Sequence, residues 1–110
     1  AARYINIKFA KSGGINEAIK IIDLAEQNNM RCMQGGMLES RLALTANVHF
    51  AMAFKNICFF DLDTCLLGHL VDPVIGGCRY NTMEILLDDL PGIGADVEQS
   101  YLDGLESIVV

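Results

Sequence analysis

No stretch of this 110-residue chain approaches the roughly 18 consecutive apolar residues that crossing a bilayer requires, although 52% of its residues are apolar. A basic segment followed by an apolar core is also missing, so no secretory leader is read. Basic residues are few: eight Lys and Arg against fourteen Asp and Glu leave a net charge of −6. They are scattered rather than clustered, which argues against a nucleic-acid partner. No Cys-x-x-Cys pair occurs among Cys32, Cys58, Cys65 and Cys78, and only His49 and His69 could assist a zinc site. The thiols therefore read as reduced and structural, with Cys32 and Cys58 as small buried hydrophobes, and the protein as cytoplasmic. No Walker or dinucleotide fingerprint surrounds Gly13-Gly14. The chain starts with Ala1 rather than Met, which suggests a processed or truncated start.

What is present is a regular succession of short elements that fits one domain at most. From Tyr4 to Ala10, Ile5, Ile7 and Phe9 alternate with Asn6 and Lys8, the period of a strand. Ser12-Gly13-Gly14 breaks that run. Ala18, Ile21, Ile22 and Ala25 then recur at helical spacing between Ile15 and Gln27. A second strand is expected over Met30–Gln34 and a second helix from about Glu39 to Phe54, with Leu42, Ala46, His49, Phe50 and Ala53 as its apolar stripe. Ile57-Cys58-Phe59-Phe60 reads as a third strand, buried on both faces as parallel strands are. The order β-α-β-α-β, with long crossovers, points to a parallel α/β unit. Residues 64–77 read as loop. Short strands are expected around Cys78–Tyr80 and Met83–Leu87, and a helix over Val97–Leu105. Three strands leave two open edges and an uncovered face, so the chain is expected to need partners: more of its own polypeptide or another copy.

Chemistry concentrates where the strands end. Lys8 closes the first strand, where α/β barrels keep their active groups. It reads either as a desolvated base or as a lysine that reaches solvent or pairs with a carboxylate. Lys11 reads as a surface charge. Asp61 and Asp63 leave the third strand two residues apart and turn toward one side. They could hold an ammonium group or a divalent metal, or cap turns. Gly36 and Met37 are expected to expose N–H groups at the same rim, able to bind a carboxylate. Glu39 reads as a charge at a helix start, and His49 as a core or interface histidine.

The run Asn6-Ile7-Lys8, Lys11-Ser12-Gly13-Gly14-Ile15, Gly36-Met37-Leu38-Glu39-Ser40, Asp61-Leu62-Asp63-Thr64, Asp72-Pro73-Val74-Ile75-Gly76-Gly77 and Leu90-Pro91-Gly92-Ile93-Gly94 resembles the C-terminal part of enolase-superfamily enzymes. The muconate-lactonizing subgroup matches, and within it the dipeptide epimerases of the L-Ala-D/L-Glu type. Asp-x-Asp after the last strand is what points there. The departure is Cys65, which stands where that pattern has proline.

The resemblance implies an α/β fold that is the C-terminal part of a (β/α) TIM-like barrel. Its sixth to eighth strands would be the three read above, followed by a short β/loop tail. Residues 1–77 would be the barrel portion, and residues 78–110 a tail packing toward an N-terminal capping domain. It also implies an isomerase acting by 1,1-proton transfer α to a carboxylate. Lys8 would be one acid/base, Asp61 and Asp63 would hold the free ammonium of a dipeptide substrate, and Gly36, Met37 and Leu38 would line the pocket. The second lysine and the ligands of Mg²⁺ would lie on earlier strands that this chain does not contain, so the isolated 110 residues are expected to be inactive. Muconate cycloisomerase or o-succinylbenzoate synthase activity is the nearest alternative. A non-catalytic, self-associating half-barrel is the alternative of another class.

Overall fold

The alternation of Ile5 and Ile7 with Asn6 produces the first strand, β1 (Tyr4–Ile7), shorter than the run to Ala10 that the pattern predicts. The computed structural model describes residues 2–108. The chain turns at Lys8, whose backbone is still extended (φ −132°, ψ 120°). Its carbonyl accepts from the N–H groups of Lys11 and Ser12 at 2.9 and 2.8 Å, so one helical turn, α1 (Phe9–Ser12), begins immediately. Gly13 and Gly14 follow with φ of +89° and +94°, a region that costs little only to glycine. Helix α2 (Ile15–Gln27) has the predicted bounds and buries Ala18, Ile22 and Ala25.

Strand β2 (Arg31–Gly35) lies one residue beyond its predicted bounds. Helix α3 (Arg41–Ala53) starts later than expected, because Ser40 is its N-cap and accepts from the Ala43 N–H at 3.4 Å. Glu39 therefore lies outside the helix. Strand β3 (Ile57–Asp61) includes Asp61 as its last residue.

The three strands form a parallel sheet in the order β1-β2-β3. Its register contains an irregularity that the sequence does not announce. Cys32 pairs with Ile57 but Met33 pairs with Phe59, leaving Cys58 as an extra residue in β3. Such a bulge moves the following residues to the opposite face. Ile57 joins Ile7, Cys32 and Phe50 in the cluster under the helices. Phe59 turns to the other side, where its ring meets Tyr4 edge-on at 5.3 Å.

The stripe predicted for α3 is corrected. The helix buries Leu44, Thr45, Asn47, Val48, Phe50 and Ala51, so only Phe50 of the expected set belongs. The reason is that α3 is covered from two directions. One side meets the sheet; the other meets residues beyond β3, where Leu44, Val48, Leu62 and Cys78 form a second cluster with Tyr80, Ile85 and Leu87 against it. Those later residues are not plain loop. They form α4 (Cys65–Gly68), β4 (Val74–Gly76), β5 (Arg79–Asn81), β6 (Glu84–Leu86), β7 (Ala95–Val97) and α5 (Gln99–Asp103). β5 and β6 are the two expected short strands, and α5 is shorter than the predicted helix. β7 was not expected; it pairs antiparallel with β4. Arg41 ties this layer down, pairing with Asp72 at 2.5 Å and donating to the carbonyls of Val74 and Gly76.

The open side of the sheet remains uncovered. Phe59 on that side is 51% exposed, and Phe60, paired with Gln34 on the helix side, is 57% exposed, against the expectation of a strand buried on both faces. The radius of gyration, 15.4 Å, exceeds the roughly 13 Å of a compact domain of this length. Leu44 is fully buried where the two layers meet. In the complete protein, Leu44→Ala is expected to cost about 2–5 kcal/mol of stability in urea unfolding. The same truncation at exposed Leu24 is expected to stay within about 0.5 kcal/mol.

Candidate active site

The strand ends bring Lys8, Gly35 and Asp61 into one row. Ile7 pairs with Gln34 and Gly35 with Asp61, so the three stand side by side on neighbouring strands. Alternation from Tyr4 through Asn6 puts Lys8 on the uncovered face. Gly35 leaves the room: a Cβ there would fall 2.7 Å from Asn6 Oδ1 and 3.2 Å from Lys8 Cε. The lysine leans across this gap, and its Nζ donates to the Gly36 carbonyl at 2.6 Å. Asp61 shares the face of Gly35 and lies two strand spacings from Lys8, about 9–10 Å between backbones. That separation suits groups acting on different atoms of one small ligand.

Asp63 follows two residues later, past the buried Leu62, and both aspartates are exposed. Neither carboxylate takes part in an ion pair or hydrogen bond among the described residues. They are thus not turn caps.

The rim beside them is laced together. Gly36 N–H donates to the Asp61 carbonyl at 2.9 Å and Met37 N–H to Glu39 Oε1 at 2.9 Å. The two N–H groups expected to stand open are therefore engaged. Thr64 Oγ1 donates to the Met37 carbonyl at 2.5 Å, and His69 Nε2 bonds the Glu39 carbonyl at 3.0 Å. Leu38 is exposed but seated on Gly68, where a Cβ would lie 2.2 Å from its Cδ1. Glu39 Oε2 also accepts from Asn47 at 3.3 Å, and Asn47 accepts from Gln34 at 2.6 Å. Glu39 thus acts as a brace for the loop after β2.

Thr64, His69, Gln34 and Asn47 escaped sequence reasoning, since no local spacing links them to the rim. His49 lies away from it and bonds the Ile93 carbonyl at 3.1 Å. The four cysteines are free. Burial pushes the Cys65 thiol up, and it pushes the Tyr80 phenol up strongly. Among the described residues no three His, Cys, Asp or Glu side chains are grouped to hold a metal ion. Nor is any helix there long and apolar enough to cross a membrane.

A parallel β-α-β-α-β unit with its polar groups at the strand C-termini fits part of a TIM-type α/β barrel, and the family match identifies it as such. The chain belongs to the family described as "Enolase C-terminal domain-like", whose family model matches residues 1–101. It is 45% identical over 106 residues to the D-Ala-D/L-Ala epimerase of Cytophaga hutchinsonii, a match covering 96% of this chain and 28% of that protein. The L-Ala-D/L-Glu epimerase of Clostridium acetobutylicum is 46% identical over 96 residues, covering 87% of this chain and 26% of its own length. Among solved structures, the Cytophaga hutchinsonii dipeptide epimerase complexed with Mg and D-Ala-L-Val superposes with a TM-score of 0.88 at 45% identity. That match covers 94% of this chain and 28% of the other. A substrate-liganded L-Ala-D/L-Glu epimerase of Bacillus subtilis gives 0.81 at 41%, covering 86% and 26%. The chain thus spans about a quarter of the length of these relatives.

The space at Gly35 has a measurable consequence. In a crystal structure of Gly35→Ala, the Asn6 side chain is expected to be displaced from its present position by the new methyl group, and Lys8 Cε to shift with it. Gly104→Ala, whose Cβ would meet nothing closer than 3.5 Å, is expected to leave Lys8 in place.

Proposed function

We propose that this chain is the C-terminal part of a dipeptide epimerase. Lys8 serves as one acid/base on the carbon α to a carboxylate, and Asp61 and Asp63 hold the substrate's free ammonium group. The observation that carries the reading is the row Lys8–Gly35–Asp61, with two exposed carboxylates that have no partner among the described residues. A paired anionic clamp favours an ammonium ligand. It disfavours muconate and succinylbenzoate, whose dicarboxylate character such a clamp would repel. The Mg and dipeptide complexes among the relatives support the same choice. In this reading Gly36, Met37 and Leu38 line the pocket, Leu38 through its exposed side chain.

Inversion at carbon needs a proton-transfer group on each face, and Lys8 supplies one. In this reading the second group and the ligands of Mg²⁺ belong to the remainder of the complete protein. Residues 1–77 are the barrel portion, and the tail from 78 runs toward the capping domain. The open sheet edges are covered by the missing strands, or by a second copy where they are absent. A reducing, cytoplasmic setting suits the four free thiols.

In the complete enzyme, Lys8→Ala is expected to lower epimerisation by about 10²–10⁴-fold. It is also expected to abolish solvent deuterium exchange on the face that Lys8 serves; unchanged exchange and turnover would sink the assignment. The 110-residue chain alone is expected to exchange no substrate proton by NMR.

A further inference from the structure

The segment carrying the two aspartates needs its own support. Leu62, between them, is only 2% exposed, and β3 ends at Asp61, so its carbonyl has no strand neighbour to donate to it. A buried carbonyl without a donor is costly. The donor comes from the tail: Tyr80 Oη bonds the Leu62 carbonyl at 2.5 Å. Tyr80 is itself oriented. Cys65 Sγ lies 3.4 Å and Cys78 Sγ 3.6 Å from its hydroxyl oxygen, and both thiols donate to it. With two donors facing the oxygen, the phenol proton points at Leu62.

We propose that Tyr80 is a positioning residue for the ammonium clamp. By fixing the Leu62 carbonyl, it sets the directions in which Asp61 and Asp63 leave the backbone on either side. The proposal rests on the assignment of those aspartates to substrate ammonium. It gives the tail a role in substrate binding, beyond covering α3.

The test uses the complete enzyme and a dipeptide with a free amino terminus. Tyr80→Phe keeps the ring and removes only the donor. It is expected to raise KM about tenfold with kcat little changed, the pattern of lost binding common to ground and transition states. Combined with Asp63→Asn, it is expected to add less than about twofold, because the two changes act on one clamp. Ile22→Ala, which removes packing from the separate cluster between sheet and helices, serves as the control that lowers the melting temperature and leaves KM alone. Tyr80→Phe behaving like that control, or adding its full penalty in the Asp63→Asn background, overturns the proposal. Asp61→Asn and Asp63→Asn both leaving KM unchanged would overturn the clamp itself, and this inference with it. A raised KM in those variants but not in Tyr80→Phe overturns this inference alone. Where Tyr80→Phe fails to fold, Cys65→Ala carries the test. A smaller KM rise supports the proposal, and none overturns it.

Discussion

Side chains on a strand alternate between faces, and in this sheet that rule decides which groups can meet. Lys8 reaches the uncovered face by simple alternation along β1. Asp61 reaches it only because Cys58 is bulged out of the ladder between β2 and β3. Without the extra residue, the face that puts Ile57 under the helices would also take Phe59 and Asp61, and the carboxylate would point into an apolar layer. The bulge lets one strand bury Ile57 and still present Asp61 beside Gly35. Cys58 settles into the irregularity, its thiol 3.5 Å from the Cys32 carbonyl. Glycine at 35 is the complement of this arrangement, since any side chain there would occupy the space between the two charged groups.

The second level of organisation is polar and links loops distant in sequence. Gln34 and Asn47 are fully buried and hydrogen-bonded to each other, and Asn47 extends the chain to Glu39 and so to the Met37 N–H. Thr64 and His69 reach the same loop from the far side of β3. Each bond contributes about 1 kcal/mol net, but together they leave the loop few alternatives. The loops after β2 and β3 are therefore bound to each other, with Asp61 joined to Gly36 through the backbone.

Much of this was legible in the sequence, and the limits have physical causes. Helix α2 was visible because its buried residues, Ala18, Ile22 and Ala25, recur at helical spacing on one face. The α3 stripe was misread because two layers cover that helix, so buried residues spread around it and include polar Thr45 and Asn47. The first strand was found from alternation and the third from a continuous apolar run, but β1 was overextended past Lys8, where a backbone cap, not a side-chain pattern, ends it. The bulge at Cys58 has no sequence mark; it is a property of the pairing. Lys8, Asp61 and Asp63 could be singled out because the end of a parallel strand is a special place. Thr64, His69 and Tyr80 could not, because their partners are 27, 30 and 18 residues away.

The uncovered face and the clustered interior follow from the same division of labour. On the helix side, Ile7, Ile22, Cys32, Phe50 and Ile57 close a finished core. On the other side, Tyr4 and Phe59 meet edge-on yet remain half exposed. Apolar aromatic surface on a sheet with two unpaired edges is unfavourable in water and prone to association. The same face carries Lys8 and Asp61, whose proposed roles gain strength in a water-poor cavity. Covering that face therefore serves stability and reactivity at once. Whatever closes the sheet must bring apolar contacts low along the strands, against Tyr4 and Phe59, and leave the upper rim to polar groups and ligand. A partner that only buried the lower aromatics would stabilise the chain without completing the proposed site, in which an opposing proton-transfer group stands across from Lys8 at the rim.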